Sequence, residues 1–143
     1  MELERSRRPR TGDPAAVREW SGMIRGGDLA PGRARRALNR FAPALEPRRL
    51  AEAQLVISEI VSNSVRHGGA GPHETIELSM SATATELRVA VSDHGDGFDP
   101  AREMREPDEE REGGRGLFLV DALASRWGVG HDGPAQVWFE VSL

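Results

Sequence analysis

Lysine, cysteine and tyrosine are all missing from this chain of 143 residues. Because lysine is missing, every one of the 19 basic residues is arginine, which excludes a P-loop or a Schiff-base site, since both depend on a lysine amine. Because cysteine is missing, the chain has no disulfide, no thiolate metal site and no thiol nucleophile. The lack of cysteine is compatible with a reducing compartment.

A long apolar run and an excess of positive charge are missing as well. Acidic residues number 23 against 19 basic ones, which gives a net charge of −4 and argues against nucleic acid as a partner. No apolar run approaches the roughly 18 residues that a membrane span needs, and the charged start has no apolar segment of a signal peptide. We therefore expect a cytoplasmic protein that binds neither membranes nor nucleic acid.

The length suits a single domain with one core. Residues 1–16 are rich in arginine, proline and charge with little to bury, so we predict a disordered N-terminal arm followed by one domain over 17–143. Residues 98–112 are acidic and contain Pro100 and Pro107, which predicts a mobile loop.

Hydrophobic spacing predicts the elements of this domain. An apolar stretch over 20–24 is typical of an edge strand, and a helix is predicted from about Pro31 through Phe41, with Pro43 and Pro47 bracketing a turn. The strongest helix covers 48–67, with a polar face that we assign to Glu52, Glu59, Asn63 and Arg66.

Alternating apolar residues over 76–80 and 87–91 predict an antiparallel hairpin, and a short helix from about 114–116 precedes two closing strands. The sum is an α+β fold, a two-layer sandwich with helices on one face of a mostly antiparallel sheet.

Glu59 and Asn63 lie four residues apart on the strongest helix, so both side chains fall on one face. A carboxylate there can accept a proton while the amide oxygen coordinates magnesium. On periodicity alone, a solvated polar face is the favoured alternative. The helix ends with Arg66 and His67, a cationic terminus able to face phosphate.

Asp93 closes the second strand of the hairpin, and Gly95 and Gly97 remove side chains where a flat ligand could lie against the backbone. A carboxylate here could accept the exocyclic amino hydrogen of adenine and would discriminate against guanine. An ordinary turn is the alternative, since aspartate and glycine favour turns.

Gly113, Gly114 and Gly116 precede a helix, whose free backbone N–H groups suit phosphate, with Arg111 and Arg115 as further ligands. A simple helix cap would show the same glycines. Each segment is weak alone, but the three in this order predict a site for ATP.

The three segments resemble the motifs of the GHKL ATPase superfamily, which has the Bergerat fold, and within it the anti-sigma factor serine/threonine kinases. The segment 55–68 resembles the N-box of that family, 91–98 its G1 box and 114–120 its G2 box.

The resemblance implies roles for particular residues. Glu59 would be the general base, Asn63 the magnesium ligand, and Asp93 the adenine acceptor, with the turn at Gly95 and Gly97 against the base. The phosphates would be bound through backbone amides of Gly114, Gly116 and Leu117, beside Arg115, and the ligands would be ATP and Mg²⁺. The acidic stretch 99–112 would be the ATP lid. Gln136 stands where relatives often have a threonine in the adenine network, so we expect it to contact the nucleotide with altered affinity.

Two functions follow from the resemblance and the residues. The first is an anti-sigma-type kinase that transfers phosphate from Mg-ATP to a serine or threonine of an antagonist protein and binds a sigma factor. Because the family commonly dimerises, the resemblance also makes a homodimer possible. The alternative is a non-catalytic binding module that uses nucleotide to set its shape for a partner. A severed histidine-kinase catalytic domain is weaker, because the chain has no room for a dimerisation helix pair with a phosphoacceptor histidine.

Overall fold

The structure is a computed structural model that describes residues 18–67, 70–93, 116–130 and 136–143. Over these ranges the chain forms three α-helices, a 3₁₀-helix and five strands. In chain order they are β1 (Arg18–Arg25), α1 (Ala30–Leu38), the 3₁₀-helix (Asn39–Ala44), α2 (Pro47–His67), β2 (Thr75–Ala82), β3 (Glu86–Asp93), α3 (Gly116–Leu123), β4 (Arg126–Gly130) and β5 (Gln136–Ser142). The predicted arm over 1–16 and the predicted loop over 98–112 lie outside the described residues.

The five strands form one sheet in the order β1-β2-β3-β5-β4, and every neighbouring pair is antiparallel. The predicted fold class is therefore confirmed, as are the hairpin of β2 and β3 and the edge position of β1. The β1–β2 pairing runs without a bulge from Arg18 opposite Ala82 to Arg25 opposite Thr75. No helix of the described ranges is long and apolar enough to cross a membrane.

The helix predicted from Pro31 through Phe41 is wrong in its extent, because α1 ends at Leu38 and a 3₁₀-helix follows. Pro43 explains the change, since its ring would clash with the carbonyl of Asn39, four residues earlier, in a continued α-helix. Pro47 does not close a turn but begins α2, at the first helical position that proline favours.

The hydrophobic core lies between the helices and one side of the sheet. Alternate residues of the central strands point into it, among them Leu78, Val89 and Phe139, while α2 contributes Ile57 and Ile60. These side chains are fully buried, and each contributes on the order of 1.5–3 kcal/mol of transfer free energy. The α2 helix is thereby fixed across the sheet.

The other side of the sheet, which we call the outer face, carries a polar cluster centred on Trp138. The guanidinium of Arg88 lies 4.6 Å from the indole centroid and that of Arg126 lies 5.9 Å from it. Both arginines pair with the buried Glu140, whose Oε1 is 2.7 Å from Arg126 Nη2. Burial and the charge of Glu140 raise the pKa of Glu86, against the opposing effect of the two arginines.

The loop after α2 is held close to the loop after β1 by backbone hydrogen bonds. Gly27 N donates to Ala70 O at 2.9 Å, and Gly26 N donates to Glu74 O at 2.9 Å. A Cβ on Gly26 would lie 2.3 Å from Ala70 O and 2.4 Å from Gly71 O, so only glycine allows this approach. The contact fixes where the chain leaves α2.

We expect Gly26→Ala to lower the free energy of unfolding by about 1–3 kcal/mol, because the methyl group forces two carbonyls apart. Gly71→Ala is the matched control, since nothing lies within 4 Å of a Cβ built there. It should change the free energy of unfolding by about 0.5 kcal/mol or less. Urea unfolding followed by circular dichroism measures both, and equal effects of the two substitutions would contradict the steric account.

Candidate functional site

Asn63 lies one turn before the end of α2 and is fully buried, with a relative exposure of 0%. Assigning it to the polar face with Glu52, Glu59 and Arg66 is therefore wrong. Val56 and Ile60 precede Asn63 by seven and three residues and are also fully buried, so Asn63 shares their side of the helix. A solvent-facing side of α2 therefore does not account for the buried side chain of Asn63.

Both polar atoms of the Asn63 side chain, Oδ1 and Nδ2, are buried without a hydrogen-bond partner in the described part of the chain. A buried amide left unpaired costs on the order of 1–3 kcal/mol, so native proteins rarely keep one without a reason. An amide oxygen is a ligand that Mg²⁺ accepts, and the amide nitrogen can donate to an oxygen of a phosphate. The donor set at this position therefore fits a magnesium–phosphate group.

Glu59 lies one turn before Asn63 and is half-buried, in contrast to the exposed Arg66 one turn after Ser62. Arg66 Nε donates to Ser62 O within its own helix, at 3.4 Å, and its position leaves the guanidinium in solvent. The side chain of Glu59 is therefore partly accessible to solvent.

A hydrogen-bond network next to Glu59 joins α1 to α2, and the sequence reasoning missed it. Arg35 Nη1 donates to Ser58 Oγ at 3.0 Å, and Ser58 Oγ donates to Gln54 O at 3.0 Å. Gln54 Nε2 donates back to Arg35 O at 3.0 Å and to Asn39 Oδ1 at 2.9 Å. Polar residues at positions 54 and 58, one turn apart on an apolar helix, were the available signal. The network holds the backbone that carries Glu59.

Asp93 ends β3 and is 3% exposed. Its Cα partner is Ile76, a residue of the hydrophobic core, so Asp93 lies on the side of the sheet that the helices cover. A carboxylate at the end of a buried strand and under a helical layer can accept a hydrogen bond from a ligand between the layers.

The connection after α2 brings Asn63 and Asp93 to the same end of the molecule. Ala70 N donates to Ser64 O at 3.2 Å, and β2 begins at Thr75, only eight positions after α2 ends at His67. Ile76, the second residue of β2, is the partner of Asp93. The C-terminal ends of α2 and β3 are therefore adjacent.

The helix α3 begins at Gly116 in the described ranges and packs against α2. Its far end is tied to β4, because Trp127 Nε1 donates to Asp121 Oδ1 at 2.9 Å. Gly116 and Leu117 therefore lie in the first turn of α3, next to α2, which carries Glu59 and Asn63. The predicted phosphate site uses the backbone amides of this first turn.

Gln136 is not brought to the side of the sheet that carries Asp93. Its Cα partners are Ser92 and Gly130, which places it on the outer face with Trp138. A Cβ built on Gly130 would lie 3.5 Å from Gln136 Oε1, in keeping with this orientation. Gln136 is the first residue of β5, and the pairing of this strand with β3 places it on the opposite side of the sheet from Asp93.

Six of the candidate residues lie outside the described residues, namely Gly95, Gly97, Arg111, Gly113, Gly114 and Arg115, and so do the side chains of His67 and Leu117. The described part of the site therefore consists of Glu59, Asn63, Asp93 and the start of α3.

The chain is similar to one family of ATPase domains. The family model described as "Histidine kinase-like ATPase domain" matches residues 29–139, most of the chain. Serine-protein kinase RsbW from Staphylococcus aureus strain bovine RF122 / ET3-1 is 29% identical over 85 residues, as is that from strain MSSA476. The match covers 52% of this chain and 54% of each relative, so the chain spans about half the length of the curated relatives it matches.

We expect Asn63→Leu to raise the free energy of unfolding of the ligand-free protein by about 1 kcal/mol, because it removes an unpaired buried amide and keeps a side chain branched at Cγ. Chemical denaturation without nucleotide measures this change. Ser64→Leu, at the neighbouring buried position, is the control for added volume and should be destabilising. A loss of about 1–3 kcal/mol in Asn63→Leu alone would mean that the amide has a structural partner.

Proposed function

Because the chain belongs to the histidine kinase-like ATPase domain family, we propose that it binds ATP with magnesium and acts as a regulator of the anti-sigma type. In the finer form of this proposal, the protein transfers the terminal phosphate of ATP to a serine or threonine of an antagonist protein. The similarity to the Staphylococcus aureus serine-protein kinases supports the transfer.

The burial of Asn63 with two unpaired polar atoms is the observation that carries the proposal. A side chain in that state is stabilised when a ligand supplies its missing hydrogen bonds or coordination. We assign Asn63 as the protein ligand of Mg²⁺, which when bound neutralises charge on the phosphate oxygens.

Asp93 takes the role of adenine acceptor. Its carboxylate accepts the hydrogen of the exocyclic amine, and it lies under the helical layer at the end of the molecule where Asn63 lies. Guanine has a carbonyl at the corresponding position, so it would place two acceptors against each other. The predicted contact of Gln136 with the adenine is not included, because the register turns this residue to the outer face.

Glu59 takes the role of general base. Its carboxylate accepts the proton of the substrate hydroxyl while the hydroxyl oxygen forms a bond to the terminal phosphorus and ADP leaves with the electrons of the broken bond. The half-buried position of Glu59 one turn from Asn63 supports this role, since phosphates held at Asn63 would lie near it and its carboxylate stays partly exposed to a protein substrate.

The partners proposed are a sigma factor and an antagonist protein that carries the accepting residue. A homodimer in the cytoplasm remains part of the proposal, as implied by the resemblance of the three motifs.

We expect Asp93→Asn to weaken binding of ATP by about 1.5–3 kcal/mol, the contribution of a hydrogen bond to a charged group. This loss corresponds to a rise in Kd of roughly 10- to 150-fold. Calorimetric titration of the whole chain with ATP and magnesium measures it, with GTP as the second ligand.

Asp28→Asn is the matched control for this titration, because Asp28 is exposed in the loop between β1 and α1 and should leave the affinity unchanged. Equal affinities for ATP in the wild type and in Asp93→Asn would refute the adenine assignment. No saturation at about 1 mM ATP, which means a binding free energy weaker than about −4 kcal/mol, would refute nucleotide binding itself.

We expect Glu59→Gln to abolish phosphoryl transfer while ATP still binds, because the amide cannot accept the proton of the substrate hydroxyl. The assay incubates the protein, ATP and magnesium with a dephosphorylated extract of the source cells and searches for new phosphoserine and phosphothreonine by mass spectrometry. Glu52→Gln, two turns earlier on α2, should transfer phosphate as the wild type does, since Glu52 pairs with Arg48 and Arg49 at the surface.

The same assay decides between the two functions. Phosphate transfer by the wild type and Glu52→Gln but not by Glu59→Gln supports the kinase. ATP binding without transfer by any of the three proteins would favour the non-catalytic binding module.

A further inference from the structure

A groove of about 430 Å³ lies between β1 and α1, away from the residues assigned to nucleotide. Trp20 and Ile24 of β1 and Ala37 of α1 give it an apolar floor. Met23, at its rim, is 60% exposed. A large exposed apolar side chain next to an apolar concave surface is a feature of interaction sites.

Arginines supply the polar lining of this groove. Arg33 and Arg36 of α1 and Arg40 of the 3₁₀-helix lie along one stripe, and Arg25 of β1 also lines the groove. Among the described residues that line it, none is acidic. The charge is concentrated here although the chain as a whole carries −4. The groove is therefore a positive surface on a negative protein.

Most of this positive charge is not neutralised within the described ranges. Arg25, Arg33 and Arg36 make no ion pair there, in contrast to Arg48, Arg49, Arg88 and Arg126. The guanidinium of Arg40 lies 4.9 Å from the ring centroid of Trp20, which keeps one cation over the apolar floor. Guanidinium groups bind carboxylates through paired hydrogen bonds, so this lining selects acidic ligands.

The strand beside the groove has an open edge. Within the part of the chain that the structure describes, β1 pairs with β2 alone, so the backbone groups of its other edge point away from the sheet. Neither a proline nor a bulge interrupts its eight residues, and natural edge strands commonly carry one of these to prevent further pairing. An extended peptide can add to such an edge through backbone hydrogen bonds.

We propose that this groove and the open edge of β1 bind an extended acidic segment of a partner protein, as an added strand. Alternate side chains of the added strand face the groove, where carboxylates meet Arg33 and Arg36 and an apolar residue covers Trp20. The site lies outside the nucleotide residues, and the proposal holds whether or not the chain transfers phosphate.

The charge of the groove favours such a partner over a second copy of the chain. Two copies paired through their β1 edges would place both sets of groove arginines close together, and like charges oppose that contact. The carboxylates of an acidic segment neutralise the positive charge of the groove arginines instead.

The test measures fluorescence anisotropy of a labelled peptide of alternating glutamate and valine, about as long as β1. We expect saturable binding that weakens as NaCl rises from about 0.05 to 0.5 M. A peptide with lysine in place of glutamate, and a glutamate peptide N-methylated at alternate residues, should bind at least about tenfold more weakly.

The variant is Arg33→Glu combined with Arg36→Glu, and it should weaken binding of the glutamate peptide at least about tenfold. Arg48→Glu combined with Arg49→Glu is the matched control, since those arginines lie on α2 outside the groove, and it should bind the peptide as the wild type does. Circular dichroism verifies folding, and an unchanged ATP titration separates this site from nucleotide binding.

Three results would overturn the proposal. The first is that the glutamate peptide does not bind at about 1 mM. The second is that the two double variants bind the peptide equally well. The third is a dimer, detected by analytical ultracentrifugation, that dissociates when Arg33→Glu and Arg36→Glu are combined. The last result would assign the groove to a second copy of the chain.

Discussion

The apolar side of α2 packs across the centre of the sheet, and the positions of the candidate functional residues follow from that contact. Val56, Ile57 and Ile60 fix the rotation of the helix over the strands. Because Asn63 follows Ile60 by three residues, the same rotation buries the amide. A helix turned by one residue would place the hydroxyl of Ser62 or Ser64 there instead. The packing of the core thus determines which polar side chain faces the interior.

Most of the fold follows from the sequence, because periodicity of apolar residues is a local signal. The alternation over 76–80 and 87–91 predicts β2 and β3, and the stripe over 48–67 predicts α2 to within one residue of its start. The extent of α1 is less predictable, since Leu38 and Phe41 suit an α-helix and the 3₁₀-helix depends on a steric effect of Pro43 on Asn39. β1 lies at the edge of the sheet, in agreement with its mixture of exposed and half-buried residues.

The site is less predictable, because it depends on contacts between distant residues. Spacing alone places Glu59 and Asn63 on one face of α2, but only the packing shows that one is half-buried and the other fully buried. Gln136 depends on the register between β3 and β5, and a shift of one residue would turn it to the helices. The hydrogen bond of Arg35 to Ser58 joins residues 23 positions apart, so no local pattern contains it.

The helix α1 connects the two surfaces of the molecule. Arg33 and Arg36 of this helix line the groove. Arg35 of the same helix donates a hydrogen bond to Ser58, the residue before Glu59, and its carbonyl accepts one from Gln54. These hydrogen bonds join α1 to α2, and the backbone contact at Gly26 joins the loop before α1 to the loop after α2. The same helix, α1, therefore contacts both the groove and the residue that precedes Glu59.

The three tryptophans lie at three different surfaces, and tyrosine is absent from the chain. Trp20 forms the floor of the groove under Arg40, Trp127 is hydrogen-bonded to Asp121 of α3, and Trp138 lies between two arginines on the outer face. Intrinsic emission excited at the red edge of protein absorption therefore comes from these indoles alone. Single-tryptophan versions of the chain would report separately on the groove, on the helix beside the nucleotide residues and on a face remote from both, without any attached dye.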